Sequence, residues 1–117
     1  MKFFGSVIAI IALASGAFAT SAVAVDAAML PVVFTAATTF VSESPANPNI
    51  DDEDRLAFYA NFKQATVGPC TTAAPGMFNL VALAKWNAWM DLGAKTKEQA
   101  MQDYIALLTS KVPAWSS

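Results

Sequence analysis

Apolar residues recur at helical spacing in four stretches of this chain, each closed by glycine, proline or a polar run. In the first stretch Leu30, Val33, Phe34, Ala37 and Val41 are separated by three, one, three and four positions. That is one stripe of a helix, predicted from about Met29 to Val41. The segment Ser42-Glu43-Ser44-Pro45-Ala46-Asn47-Pro48-Asn49 follows, and its two prolines exclude a helix passing through it. A second helix is predicted from Asp51 or Asp52 to about Val67, with Leu56, Ala60 and Val67 as its buried line, and Gly68-Pro69 stops it. Between Gly68 and Gly76 the chain carries two glycines and two prolines, which predicts a long, fixed connection. The third helix spans about Leu80 to Leu92, with Trp86 and Trp89 directed to the core and Gly93 as its C-terminal stop. A fourth begins after Thr96, which forms a capping box with Gln99, and runs to about Lys111 before Pro113. Its apolar residues are Ala100, Tyr104, Ile105, Leu107 and Leu108. The expected fold is all-α, a four-helix up-down bundle.

The N-terminus follows a different rule. Lys2 precedes an uncharged run from Phe3 to Val25 that contains Val7-Ile8-Ala9-Ile10-Ile11-Ala12-Leu13. A cationic start, an apolar centre and small residues at Ala17, Ala19, Ala22 and Ala24 make a secretory signal peptide over residues 1–24, cut after Ala17, Ala19 or Ala24. The strongly apolar portion is shorter than the ~20 residues a spanning helix needs, so the mature chain is expected not to span a membrane. One domain, residues 25–117, remains. The expected location is the secretory pathway or the extracellular space. The alternative is a complex plastid or the thylakoid, because Ser15-Gly16-Ala17-Phe18-Ala19-Thr20 resembles the cleavage motif of bipartite plastid presequences.

Charge and composition narrow the chemistry. The chain has 117 residues, 56% of them hydrophobic and 14% charged, enough for a single packed core. Removing Lys2 from seven basic residues leaves six against nine acidic ones, which disfavours nucleic acid as a partner. Four acids form the run Asp51-Asp52-Glu53-Asp54 at the predicted start of the second helix. Negative charge there complements the helix dipole, and the run lacks the spaced oxygens and glycine turn of a calcium loop. Cys70 is the only cysteine and histidine is absent. No intramolecular disulfide can form, and the commonest general base and metal ligand is missing. Enzymatic hydrolysis is therefore a poor expectation.

The chemistry-bearing block is Tyr59-Ala-Asn-Phe-Lys-Gln-Ala-Thr-Val-Gly68, followed by Pro75-Gly76-Met77 and Ala84-Lys85-Trp86-Asn87-Ala88-Trp89. On a helix, Tyr59, Phe62 and Lys63 fall at i, i+3 and i+4, placing two rings and an ammonium on one face. These blocks, with Lys97-Glu98-Gln99-Ala100-Met101 and Tyr104-Ile105, resemble the acyl-CoA-binding protein family over about Phe34 to Leu108. The resemblance implies the bundle of that family and a long-chain fatty acyl-CoA ligand, with no cofactor. It places the ligand contacts on Tyr59, Phe62, Lys63, Lys85 and Tyr104. These residue types suit the ligand: lysines and a phenol can meet phosphate, and Phe62 offers adenine a flat partner where the family has tyrosine.

The sequence departs from the family at basic positions around the nucleotide, with Ala74 before Pro-Gly-Met and Val81 and Leu83 before Ala-Lys-Trp. In addition, no charge occurs between Asp26 and Glu43, so Val32, Ala36 and Phe40 off the core stripe are expected to form an apolar patch. These features define the alternative function: a structural or assembly subunit that docks to a larger, membrane or thylakoid complex. Its protein partner would pack on Val32, Phe40, Val81 and Leu83.

Overall fold

The structure, a computed structural model, describes residues 26–117. The expected signal peptide and its cleavage sites lie outside the described residues. Four helices follow in order: α1 (Leu30–Ser42), α2 (Asp52–Thr66), α3 (Leu80–Met90) and α4 (Lys97–Lys111). Each agrees with its predicted span to within about two residues at either end. Among the described residues no helix is long and apolar enough to cross a membrane.

Local chemistry explains the helix ends. Pro31 opens α1, where its missing N–H costs nothing. The acidic run acts as a cap. Asp51 Oδ1 accepts the Asp54 N–H at 2.8 Å, Asp54 Oδ2 accepts the Asp51 N–H at 3.1 Å, and the two complete a capping box. The hydrogen bond from the Asp54 N–H holds the Asp51 carboxyl below its ordinary range. At α4 Thr96 accepts the Gln99 N–H at 3.1 Å. The reciprocal half of the expected box is absent, because the Gln99 amide donates forward to Asp103 at 2.8 Å instead. After α3, Gly93 takes φ +59°, a left-handed stop open to glycine at no steric cost.

Pairings between helices fix their directions. α1 ends where α2 begins, since the Arg55 guanidinium donates to the carbonyl of Pro45 at 2.7 Å. α2 and α4 run opposite ways: Lys111 reaches Asp54 at 3.3 Å, whereas Gln64 reaches Lys95 at the other end. α2 and α3 run the same way, with Tyr59 beside Lys85 and Lys63 beside Trp89. The four-helix bundle is as expected, but its helices run up-down-down-up rather than in simple up-down alternation, and the connection 67–79 must carry the chain back along its full length. Two indoles hold that connection in place. Trp89 Nε1 donates to the Gly68 carbonyl at 2.9 Å and Trp86 Nε1 to the Thr72 carbonyl at 3.1 Å. Gly68 needs φ +106° to make this exit from α2.

The core gathers Leu30, Phe34 and Ala37 of α1 with Phe58 and Ala65 of α2, Ala100, Tyr104, Ile105 and Leu108 of α4, and Ile50 from the loop. The line expected on α2 is corrected. Ala60 is buried, but Leu56 is only half-buried and Val67 is exposed. α2 packs against α4 on one side and α3 on the other, so its buried surface is wider than one stripe and includes Asn61 and Gln64. Val67 lies beyond the last helical residue as its C-cap, where nothing covers it. Trp89 is core as expected, while Trp86 is half-buried over the connection. Leu107 is half-buried against the core rather than within it.

The expected apolar patch on α1 is also corrected. Val32 and Ala36 are exposed, but Phe40 packs edge-on against Trp115 at 6.3 Å between ring centroids. The segment after Pro113 folds back and covers it. Trp115 is itself anchored by its Nε1 donating to Thr109 Oγ1 at 3.0 Å. Of the other two residues, Val81 is exposed and Leu83 is half-buried.

Candidate functional site

The face between α2 and α3 holds a lattice of two cations and two rings. The Lys85 ammonium of α3 stands 5.2 Å from the centroid of the Tyr59 ring of α2, and the Lys63 ammonium of α2 stands 5.1 Å from the Trp89 ring of α3. Each helix contributes one ring and one lysine four residues apart, so the helices, running in the same direction, cross-pair at two successive turns. A lysine over an aromatic face is attracted by the ring quadrupole, worth about 0.5–2 kcal/mol depending on desolvation. Among the described residues the ion pairs use Lys95 with Asp103 and Lys111 with Asp54. Neither Lys63 nor Lys85 is neutralised by a carboxylate, and both ammonium groups keep donors available for an anion.

Phe62 stands to the side of this lattice. Its ring is partly exposed and stacks on Phe34 of α1 at 6.2 Å with an interplanar angle of 24°. Phe34 in turn meets Tyr104 edge-on at 5.3 Å, and Tyr104 lies 4.8 Å from Phe58. A row of rings thus runs from the surface at Phe62 into the core. Tyr104 is only 3% exposed, and burial pushes its phenol up to about 12. The structure brings Tyr59, Lys63 and Lys85 into one cluster, sets Phe62 at its α1 side, and places Tyr104 behind Phe34.

The sequence pattern places two residues of this arrangement, Phe34 and Trp89, in the core alone. The signal for Trp89 was present, because Lys85 and Trp89 repeat the four-residue spacing of Tyr59 and Lys63. The signal for Phe34 was absent, since its contact with Phe62 depends on how α1 crosses α2. Behind the lattice, Gln64 is fully buried and donates through Nε2 to the carbonyls of Gly93 at 3.0 Å and Lys95 at 2.8 Å. Lys95 Nζ donates to Asn61 Oδ1 at 3.0 Å and pairs with Asp103 at 2.6 Å. These polar contacts bind the α3–α4 turn to α2 and fix the two faces that carry the lysines.

The family described as acyl CoA binding protein matches residues 32–108. The chain is 43% identical over 77 residues to an acyl-CoA-binding protein of Brassica napus, covering 66% of this chain and 78% of that one. It is 42% identical over 93 residues to acyl-CoA-binding domain-containing protein 4 of Oryza sativa subsp. japonica, covering 79% of this chain and only 28% of that longer protein. The crystal structure of Oryza sativa acyl-CoA-binding protein 2 superposes with a TM-score of 0.62 at 40% identity, over 74% of this chain and 94% of that one. The four-helix bundle, the paired lysines on α2 and α3 and these likenesses coincide in one conclusion: the chain belongs to the acyl-CoA-binding protein family.

Proposed function

We propose that this chain is a non-enzymatic carrier of long-chain fatty acyl-CoA. The observation that carries the reading is the pair of lysines on neighbouring turns, Lys63 over Trp89 and Lys85 over Tyr59, neither paired with a carboxylate. A coenzyme A head offers phosphate oxygens that each lysine can meet as a point charge. Tyr59, beneath Lys85 and one turn before Lys63 on α2, offers its phenol as a further donor to these oxygens. Phe62, exposed and already stacked on Phe34, offers adenine a face, and Tyr104 backs that wall from behind Phe34. The apolar tail would lie along the bundle, where burial of methylene groups adds about 0.8 kcal/mol each. Calorimetric titration with palmitoyl-CoA, free coenzyme A and palmitate in parallel tests the reading. Acyl-CoA should bind more tightly than either fragment. No heat with palmitoyl-CoA at high micromolar protein refutes it.

A further inference from the structure

The start of α3 carries an exposed apolar tip outside the lysine lattice. Phe78 is 96% exposed, Met77 72%, Leu80 71% and Val81 67%. From Gln64 to Ala84 the chain has no aspartate, glutamate, lysine or arginine, and it has no histidine anywhere. We propose that this tip, Met77 to Val81, inserts into the interfacial region of a zwitterionic phospholipid bilayer.

Three observations select a bilayer over another protein surface. Four side chains of this size present on the order of 500 Å², short of the ~800 Å² that each partner contributes to a stable protein interface. A bilayer sets no such minimum and accepts a compact wedge. Second, an uncharged tip enters the headgroup boundary without the cost of desolvating a charge. Third, the tip's backbone is already partly satisfied: the Asn79 N–H donates to the Gly76 carbonyl at 3.0 Å, and Asn79 Oδ1 accepts the Ala82 N–H at 3.2 Å. The sign of the lipid follows from the neighbours. The start of α2, with Asp51, Asp52 and Glu53, lies at the same end of the bundle as the start of α3, so an anionic surface is repelled. Attachment rests on apolar burial and is nearly independent of salt. The inference does not rest on acyl-CoA binding, because none of the four side chains belongs to the lysine lattice.

An environment-sensitive fluorophore on Phe78→Cys, in a Cys70→Ser background of the full chain, reads insertion directly. Phosphatidylcholine vesicles should brighten the probe and shift it to the blue at both low and high salt. The same probe on Lys97→Cys, at the opposite end of the bundle, should not respond. A Phe78→Asp/Leu80→Asp chain should lose at least about tenfold in vesicle partitioning and keep its palmitoyl-CoA titration in lipid-free buffer. The proposal is overturned if the Phe78→Cys probe is silent with vesicles, or if the Lys97→Cys probe responds equally. It is also overturned if the shift appears without lipid as protein concentration rises, which would mean a second copy covers the tip. A silent palmitoyl-CoA titration beside an intact vesicle response refutes the carrier reading and leaves insertion standing.

Discussion

The Lys63 ammonium lies 5.1 Å from the centroid of the Trp89 ring, so a phosphate bound there as proposed would compete with an indole for the same cation. The ring interaction is worth about 0.5–2 kcal/mol, whereas a hydrogen bond to a charged group is worth ~1.5–3 kcal/mol. If Lys63 meets coenzyme A as proposed, the phosphate should win and draw the lysine off the ring. Binding of palmitoyl-CoA is therefore expected to change tryptophan emission. Lys63→Ala should weaken binding roughly ten- to a hundredfold and shrink the emission change. An unaltered dissociation constant in Lys63→Ala would remove this residue from the site.

Phe62 separates stacking from hydroxyl donation. Its ring already rests on Phe34, so adenine would extend an existing stack. Phe62→Ala should weaken palmitoyl-CoA binding by about two- to tenfold, the range of an aromatic pair beyond its buried area. The exposed ring edge has room for a hydroxyl, so Phe62→Tyr should fold with unchanged stability. Calorimetry on both variants decides the matter. Equal affinity in Phe62→Ala and the parent chain would place the nucleotide elsewhere.

How much was legible in sequence depends on which kind of contact fixed each residue. The caps and stops at Asp51, Thr96 and Gly93 are local, made within three or four residues, and their residue types announce them. The lattice of Tyr59, Lys63, Lys85 and Trp89 is half local: spacing gives the turn, but only the shared direction of α2 and α3 pairs each lysine with a ring on the other helix. Gln64 was illegible. A polar residue with no exposed surface contradicts the usual pattern, and it is explained only by two carbonyls contributed from about thirty positions along the chain. Phe40 departs from its expected exposure for the same reason, since its cover, Trp115, comes from the far end of the chain.

Gln64 gives that long-range contact a measurable size. Its Nε2 serves both Gly93 and Lys95, while its Oε1 has no partner among the described residues. Gln64→Ala removes two hydrogen bonds and opens a cavity, an expected loss of roughly 2–4 kcal/mol. Gln64→Leu fills the space and leaves the two carbonyls unmet, so its cost should be smaller, about 1–3 kcal/mol. Urea unfolding of the two variants measures the difference. A loss below about 0.5 kcal/mol in Gln64→Ala would show that the α3–α4 turn does not depend on this clamp.

Tyr104 ties stability to alkaline pH with a definite sign. Burial raises its phenol to about 12, whereas an exposed tyrosine ionises near ~10. The unfolded chain therefore releases this proton first, and the folded state is favoured fully only below the unfolded value. Stability is lost as pH climbs from about 10 towards 12, by up to about 1.4 kcal/mol per pH unit. The chain has two tyrosines, so Tyr59→Phe leaves Tyr104 as the sole phenol to observe. In that variant phenolate absorbance should rise only near pH 12 or together with unfolding, and Tyr104→Phe should flatten the stability profile over the same window. Ionisation near pH 10 in the folded Tyr59→Phe chain would mean that water reaches the ring, and that the row from Phe62 through Phe34 to Tyr104 is open rather than packed.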